Sequence, residues 1–92
     1  MYANPIEELI RSGATVVDVR TREEYEEEHY PNAICIPVDE IAQKADSLGP
    51  KDKPLVLYCA SGARSAYAAR ILKMLGFQKV INAGGLYDMP NF

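Results

Sequence analysis

Two side chains in this sequence have types and spacing that could do chemistry together. They are Cys59 and Arg64, near the two ends of the run Cys59-Ala60-Ser61-Gly62-Ala63-Arg64-Ser65. A thiolate is a strong nucleophile, and a guanidinium can hold an oxyanion through two parallel N–H bonds, which an ammonium cannot do. Between them stand only small residues, which leave room around a sulfur atom and let backbone N–H groups converge on a charge. A cysteine at the mouth of a helix N-terminus, with an arginine nearby, should have a lowered pKa. The expected chemistry is therefore nucleophilic: Cys59 attacks, and Ala60, Ser61, Gly62, Ala63, Arg64 and Ser65 bind the substrate. No histidine adjoins the loop. His29 is distant in sequence, so activation should come from the field of the loop rather than from a Cys–His pair.

Such a loop needs a strand to deliver it and a helix to follow it. Leu55-Val56-Leu57-Tyr58 is the apolar run that would carry Cys59 to its end, and Ala68, Ile71, Leu72 and Leu75 repeat at helical spacing from a start near Ser65 to a stop at Gly76. Upstream, Asn4-Pro5 opens a short helix whose apolar face is Ile6, Leu9 and Ile10, ended by Gly13. The β-branched run 14–19 reads as a central parallel strand covered on both faces, with Asp18 and Arg20 at its C-terminal end. Thr21 and Glu24 have capping-box spacing for a short acidic helix that stops before Pro31. Residues 33–36 form a further short strand, in which Cys35 reads as core. A helix with Ile41, Ala45 and Leu48 inward follows it and ends at Gly49-Pro50. The last strand is expected over 79–82, with Ala83-Gly84-Gly85 as a flexible turn that brings backbone close to a neighbour. Alternating strands and helices predict an α/β fold, a small parallel sheet of four to five strands with helices on both faces.

Composition bounds the rest. Ninety-two residues suit one domain over 1–92, and 48% hydrophobic with 25% charged residues is ordinary for a globular chain. The net charge of -3 offers no basic stripe for nucleic acid. No apolar run approaches a membrane span, and the first five residues carry neither the basic nor the apolar region of a signal peptide. The two cysteines, Cys35 and Cys59, have no metal-ligand or CxxC spacing, so neither a metal nor a disulfide framework is expected, and no cofactor is called for. The expected compartment is the cytoplasm, or the periplasm if a signal peptide has been removed.

Three segments together carry a family resemblance: VVDVRTREEYEEEHYPNAICIPVDEI (16–41), LVLYCASGARS (55–65) and KVINAGGLYDMP (79–90). In order and spacing they resemble a single-domain rhodanese, a thiosulfate sulfurtransferase, over roughly residues 5–90. The ending NAGGLYDMP is most similar to the phage shock protein E type, whose members are exported. The resemblance implies that Cys59 carries a persulfide, taking sulfane sulfur from thiosulfate or another persulfide donor and passing it to cyanide or a thiol, with a protein thiol as a further acceptor. It also implies that Asp18 and Arg20 are structural support, paired with each other or, for Arg20, with Glu24. His29 matches a family position too, and reads as a hydrogen-bonded structural residue. Glu28 and Asn32 stand where many relatives have glycine, and Met89 or its neighbours where tryptophan is common. Two other readings compete. A small phosphatase or arsenate reductase would use a similar Cys-to-Arg loop, but four residues separate Cys59 from Arg64, one fewer than those enzymes have. A non-catalytic binding or regulatory module of the same fold would have no need to keep Cys59.

Overall fold

The computed structural model describes residues 4–92, so residues 1–3 of the expected domain lie outside the described part. In chain order the elements are α1 (Pro5–Arg11), β1 (Thr15–Asp18), α2 (Arg22–Glu27), β2 (Ile34–Cys35), α3 (Ile41–Lys44), β3 (Leu55–Cys59), α4 (Ala63–Met74) and β4 (Val80–Gly85). Short 3-10 turns flank α3 on both sides and follow β4. Among the described residues the sheet has four strands in the order β2-β1-β3-β4, all parallel.

Strand alternation divides the core in two. Val17 and Val19 join Leu55, Leu57 and Cys59 on the face covered by Ile41, Ala45, Leu48, Ala68 and Leu72. Val16, Val56 and Tyr58 point the other way, under Ile6, Leu9, Ile10, Tyr25, Leu86 and Met89. Every residue of β3 is buried, as a strand with helices on both faces requires. Met89, a flexible apolar side chain, fills this second layer at 3% exposure.

Local signals set the element ends. Asn4 caps α1 by accepting the Ile6 and Glu7 N–H groups. Thr21 and Glu24 form the expected capping box on α2. Asn32 holds a left-handed conformation, φ 68, which asparagine tolerates better than most residues.

Three expectations differ from the structure. The expected helix through Ile41, Ala45 and Leu48 is one short α-helix between two 3-10 turns, although all three side chains are buried. Leu75 follows the helical period but lies beyond the last residue of α4, half exposed at 44%. Cys35 is only half-buried, because β2 is a two-residue strand at the edge of the sheet formed by the described residues.

Candidate active site

Parallel strands deliver their C-terminal ends to one edge of the sheet, and Asp18, Cys35 and Cys59 all arrive there. Cys59 is the last residue of β3, and α4 begins four residues later. Gly62 is the N-cap of α4 at φ +103, a left-handed turn that reverses the chain within the loop. That reversal points the Gly62 N–H back at the Cys59 Sγ, 3.0 Å away. The first turn of α4 adds the Ser65 N–H at 3.4 Å and brings the Ser65 hydroxyl to 3.4 Å. Cys59 is 1% exposed and Ser65 is fully buried.

Burial alone would push the Cys59 thiol up. The Ser65 hydroxyl, the Ser65 N–H and the N–H groups of Ser61 and Gly62 oppose it, and the balance lies below the ordinary cysteine value. The thiolate favoured by the sequence is thus favoured in the structure, mainly by amides and a hydroxyl at the helix start. Cys35 goes the other way, raised first by burial and then by the charge of Asp18.

Arg64 is placed differently from the sequence expectation. Its guanidinium is spread across the Glu24 carboxylate, with N–H donors at 2.7 and 3.1 Å, rather than held ready for an anion. The reason is that Glu24 needs only one oxygen for its capping bond to the Thr21 N–H, at 3.0 Å, and still presents both to α4. Arg64 brings the Glu24 carboxyl down to about 2, helped by the Thr21 N–H. The pair bolts α2 to the first turn of α4.

Asp18 and Arg20 are paired with each other. Arg20 donates to Asp18 at 3.0 and 2.7 Å, and its second donor group reaches the Glu28 carbonyl at 2.6 Å. Asp18 also accepts the Tyr58 hydroxyl at 2.7 Å, and that hydroxyl accepts the Tyr30 N–H. Both charges are buried and every one of these bonds is internal, so the network fixes the residue just before Cys59 to the chain around α2. His29 stacks on Tyr25, ring centres 3.8 Å apart, with its Nδ1 2.7 Å from the Tyr25 carbonyl oxygen.

The other side of the loop is built by β4, and sequence reasoning missed most of it. The register of β3 on β4 runs Leu57↔Asn82 and then Cys59↔Gly85, so β4 carries one extra residue opposite the step into the nucleophile. Ala83-Gly84-Gly85, expected as a flexible turn, is therefore bulged strand, with Gly84 at φ +94. The expected close approach is real. A methyl group at Gly62 would meet the Gly84 backbone at 3.2 Å, and one at Gly85 would overlap the Ala60 carbonyl. From the bulge, Asn82 donates to the Gly62 carbonyl at 3.1 Å and accepts the Ser65 hydroxyl at 2.6 Å.

Of the six loop residues expected to bind substrate, Gly62 and Ser65 face the sulfur directly and the Ser61 N–H adds to them. Ala60 packs its carbonyl against β4, and Arg64 serves Glu24. This arrangement can hold a negative charge on or next to one sulfur atom.

Residues 3–88 match the family model described as a rhodanese-like domain. The chain belongs to the rhodanese family. Among curated relatives of this rhodanese, the thiosulfate sulfurtransferase PspE of Escherichia coli (strain K12) is 39% identical over 74 residues, 79% of this chain and 71% of that protein. YrkF of Bacillus subtilis (strain 168), whose name proposes it as a sulfur carrier protein, is 45% identical over 67 residues, 73% of this chain. The chain spans only 36% of the length of YrkF. The solved structure titled "rhodanese with anions from E. coli" superposes with a TM-score of 0.80 at 37% identity, covering 85% of this chain and 93% of its own. The α/β rhodanese fold and membership of a sulfurtransferase family thus stand on both sequence and structure.

Proposed function

We propose that the chain moves sulfane sulfur from thiosulfate, or another persulfide donor, to cyanide or a thiol through a persulfide on Cys59. The observation that carries this reading is the convergence of the Gly62 and Ser65 N–H groups and the Ser65 hydroxyl on the Cys59 Sγ. In the first half-reaction the thiolate attacks the outer sulfur of thiosulfate. The new Sγ–S bond forms as the old S–S bond breaks, and sulfite leaves with the electron pair. In the second, cyanide or a thiolate attacks the terminal sulfur, the Sγ–S bond breaks and its electrons return to Cys59. Negative charge is spread over the sulfur atoms throughout, and preorganised amides stabilise it without reorganising. No proton need be moved at the reacting centre, which fits a loop with no histidine beside it.

The tight spacing also supports sulfur as cargo. Cys59 is 1% exposed, so only a slender end-on group reaches the thiolate. A protein thiol is the natural alternative to cyanide as acceptor, a reading favoured by the sulfur-carrier name of YrkF. The test is Cys59→Ser assayed for thiocyanate formation from thiosulfate and cyanide. Serine is near-isosteric, but as an alcohol it is a poor nucleophile and cannot carry the sulfane sulfur. Turnover should vanish while the circular dichroism spectrum stays that of the parent. Substantial turnover in a folded Cys59→Ser variant would overturn the assignment.

A further inference from the structure

We propose that Asn82 is a positioning residue for Cys59: it decides whether the single proton of the Ser65 hydroxyl lies on its own carboxamide or on the Cys59 sulfur. The proposal rests on Cys59 being the nucleophile, and its test reads ionisation rather than turnover, so the two can fail separately.

The Ser65 hydroxyl has one proton and three acceptors around it. Asn82 Oδ1 is 2.6 Å away, the Gly62 carbonyl 3.2 Å and the Cys59 Sγ 3.4 Å. The carboxamide cannot be turned over without loss. Its Oδ1 accepts the Gly84 N–H at 2.9 Å while its Nδ2 donates to the Gly62 carbonyl at 3.1 Å, and a flip would set donor against donor and acceptor against acceptor. The 2.6 Å contact is therefore Ser65 donating to Asn82, and while Cys59 is an un-ionised thiol the proton stays there. The Ser65 N–H stays on the sulfur in either case.

A hydrogen bond to a charged acceptor is roughly twice as strong as a neutral one, so an ionised Cys59 draws the hydroxyl proton across. A sulfur-loaded Cys59 has a neutral Sγ, and the proton returns to Asn82. Asn82 thus competes with the free thiolate and not with the loaded form, which tilts Cys59 toward holding sulfur. The bulge in β4 is what places Asn82 where this competition can occur.

Three charged groups on the elements around the loop already have partners. Arg64 of α4 is on Glu24 of α2, Arg20 after β1 is on Asp18, and Asp88 after β4 takes the Gly85 N–H. Changing Asn82 to alanine alters none of them. Gly62 also keeps a second tie, since its carbonyl accepts the Ala66 N–H at 2.9 Å.

The experiment measures the pH dependence of Cys59 alkylation by iodoacetamide, resolved by peptide mass spectrometry, in the full chain and in Asn82→Ala, Ser65→Ala and the double variant. Freeing the hydroxyl for sulfur should lower the midpoint in Asn82→Ala, with about threefold more thiolate at pH values below it. Ser65→Ala should raise the midpoint, and in that background the Asn82→Ala change should have no effect. A merely structural Asn82 would give an unchanged or raised midpoint, or a shift that survives in the Ser65→Ala background. Either result overturns the proposal. If Asn82→Ala fails to fold, Asn82→Asp keeps the acceptor oxygen with added charge. It should raise the midpoint more with Ser65 present than absent, and equal shifts in both backgrounds overturn the proposal as well.

Discussion

Replacing Gly85 with alanine should damage sulfur transfer far more than it damages folding. The backbone of Gly85 is extended, φ -92, which alanine adopts freely, so the whole effect is steric. The added methyl would sit 3.1 Å from the Ala60 carbonyl carbon, overlap the carbonyl oxygen, and come within 3.3 Å of the Asp88 carboxylate. The obstruction is backbone, not the mobile end of a side chain. Ordinary carbon contacts need 3.5–4.0 Å, so β4 and the loop must part by ~1 Å. Ala60 is the residue after Cys59, and a displacement of ~1 Å in a positioned site costs about 100-fold in rate. Overpacking of this kind costs about 1–3 kcal/mol of stability, little enough for the domain to remain folded. The assay is thiocyanate formation at saturating thiosulfate, beside urea unfolding and the alkylation midpoint of Cys59. A folded Gly85→Ala variant with parental turnover and an unmoved midpoint would refute the view that β4 shapes the loop.

Glu24→Gln separates charge from capping, since glutamine at this position still closes the capping box. Glu24 holds a carboxyl lowered to about 2, so its contribution is fully present above the usual carboxylate range near 4.5 and is lost as pH falls through about 2. With both partners of the pair one-third exposed, the contribution after screening is about 1 kcal/mol. The variant should lose that amount at pH 7 and converge with the parent near pH 2 in urea titrations. It should also show a lower thiosulfate KM, because a released Arg64 can then serve the anion; unchanged stability and KM would count against the pairing. For the two thiols, the structure predicts an order opposite to exposure: the buried Cys59 should alkylate below the ordinary midpoint of ~8.5 and the half-buried Cys35 above it. Equal midpoints would contradict the loop field.

What could be read from the sequence was mostly local. The capping box of Thr21 and Glu24 spans three residues, the left-handed turn at Asn32 is one residue's conformational tolerance, and the strand, loop and helix around Cys59 are contiguous. The two-sided cover of β1 followed from its uninterrupted β-branched run, and the three inward residues of the α3 region followed from helical spacing even though the helix itself is broken by 3-10 turns. What could not be read was set by tertiary contacts. Glu24 has two oxygens, and nothing local says that the second reaches Arg64 forty residues later. The bulge that aims Asn82 exists only in the pairing of β4 with β3, and a Gly-Gly pair in isolation reads as a turn. Tyr58 looks like one more core aromatic until its hydroxyl is seen closing the Asp18–Arg20 network. Leu75 kept the helical period but fell past the helix end, where no layer covers it.

The most direct measurement is the mass of the intact chain after treatment with thiosulfate and removal of excess reagent, followed by peptide mapping under non-reducing conditions. A persulfide intermediate predicts an added mass of one sulfur atom, located on Cys59, absent in Cys59→Ser and discharged by cyanide as thiocyanate. An unmodified Cys59, or sulfur found on Cys35 instead, would contradict it.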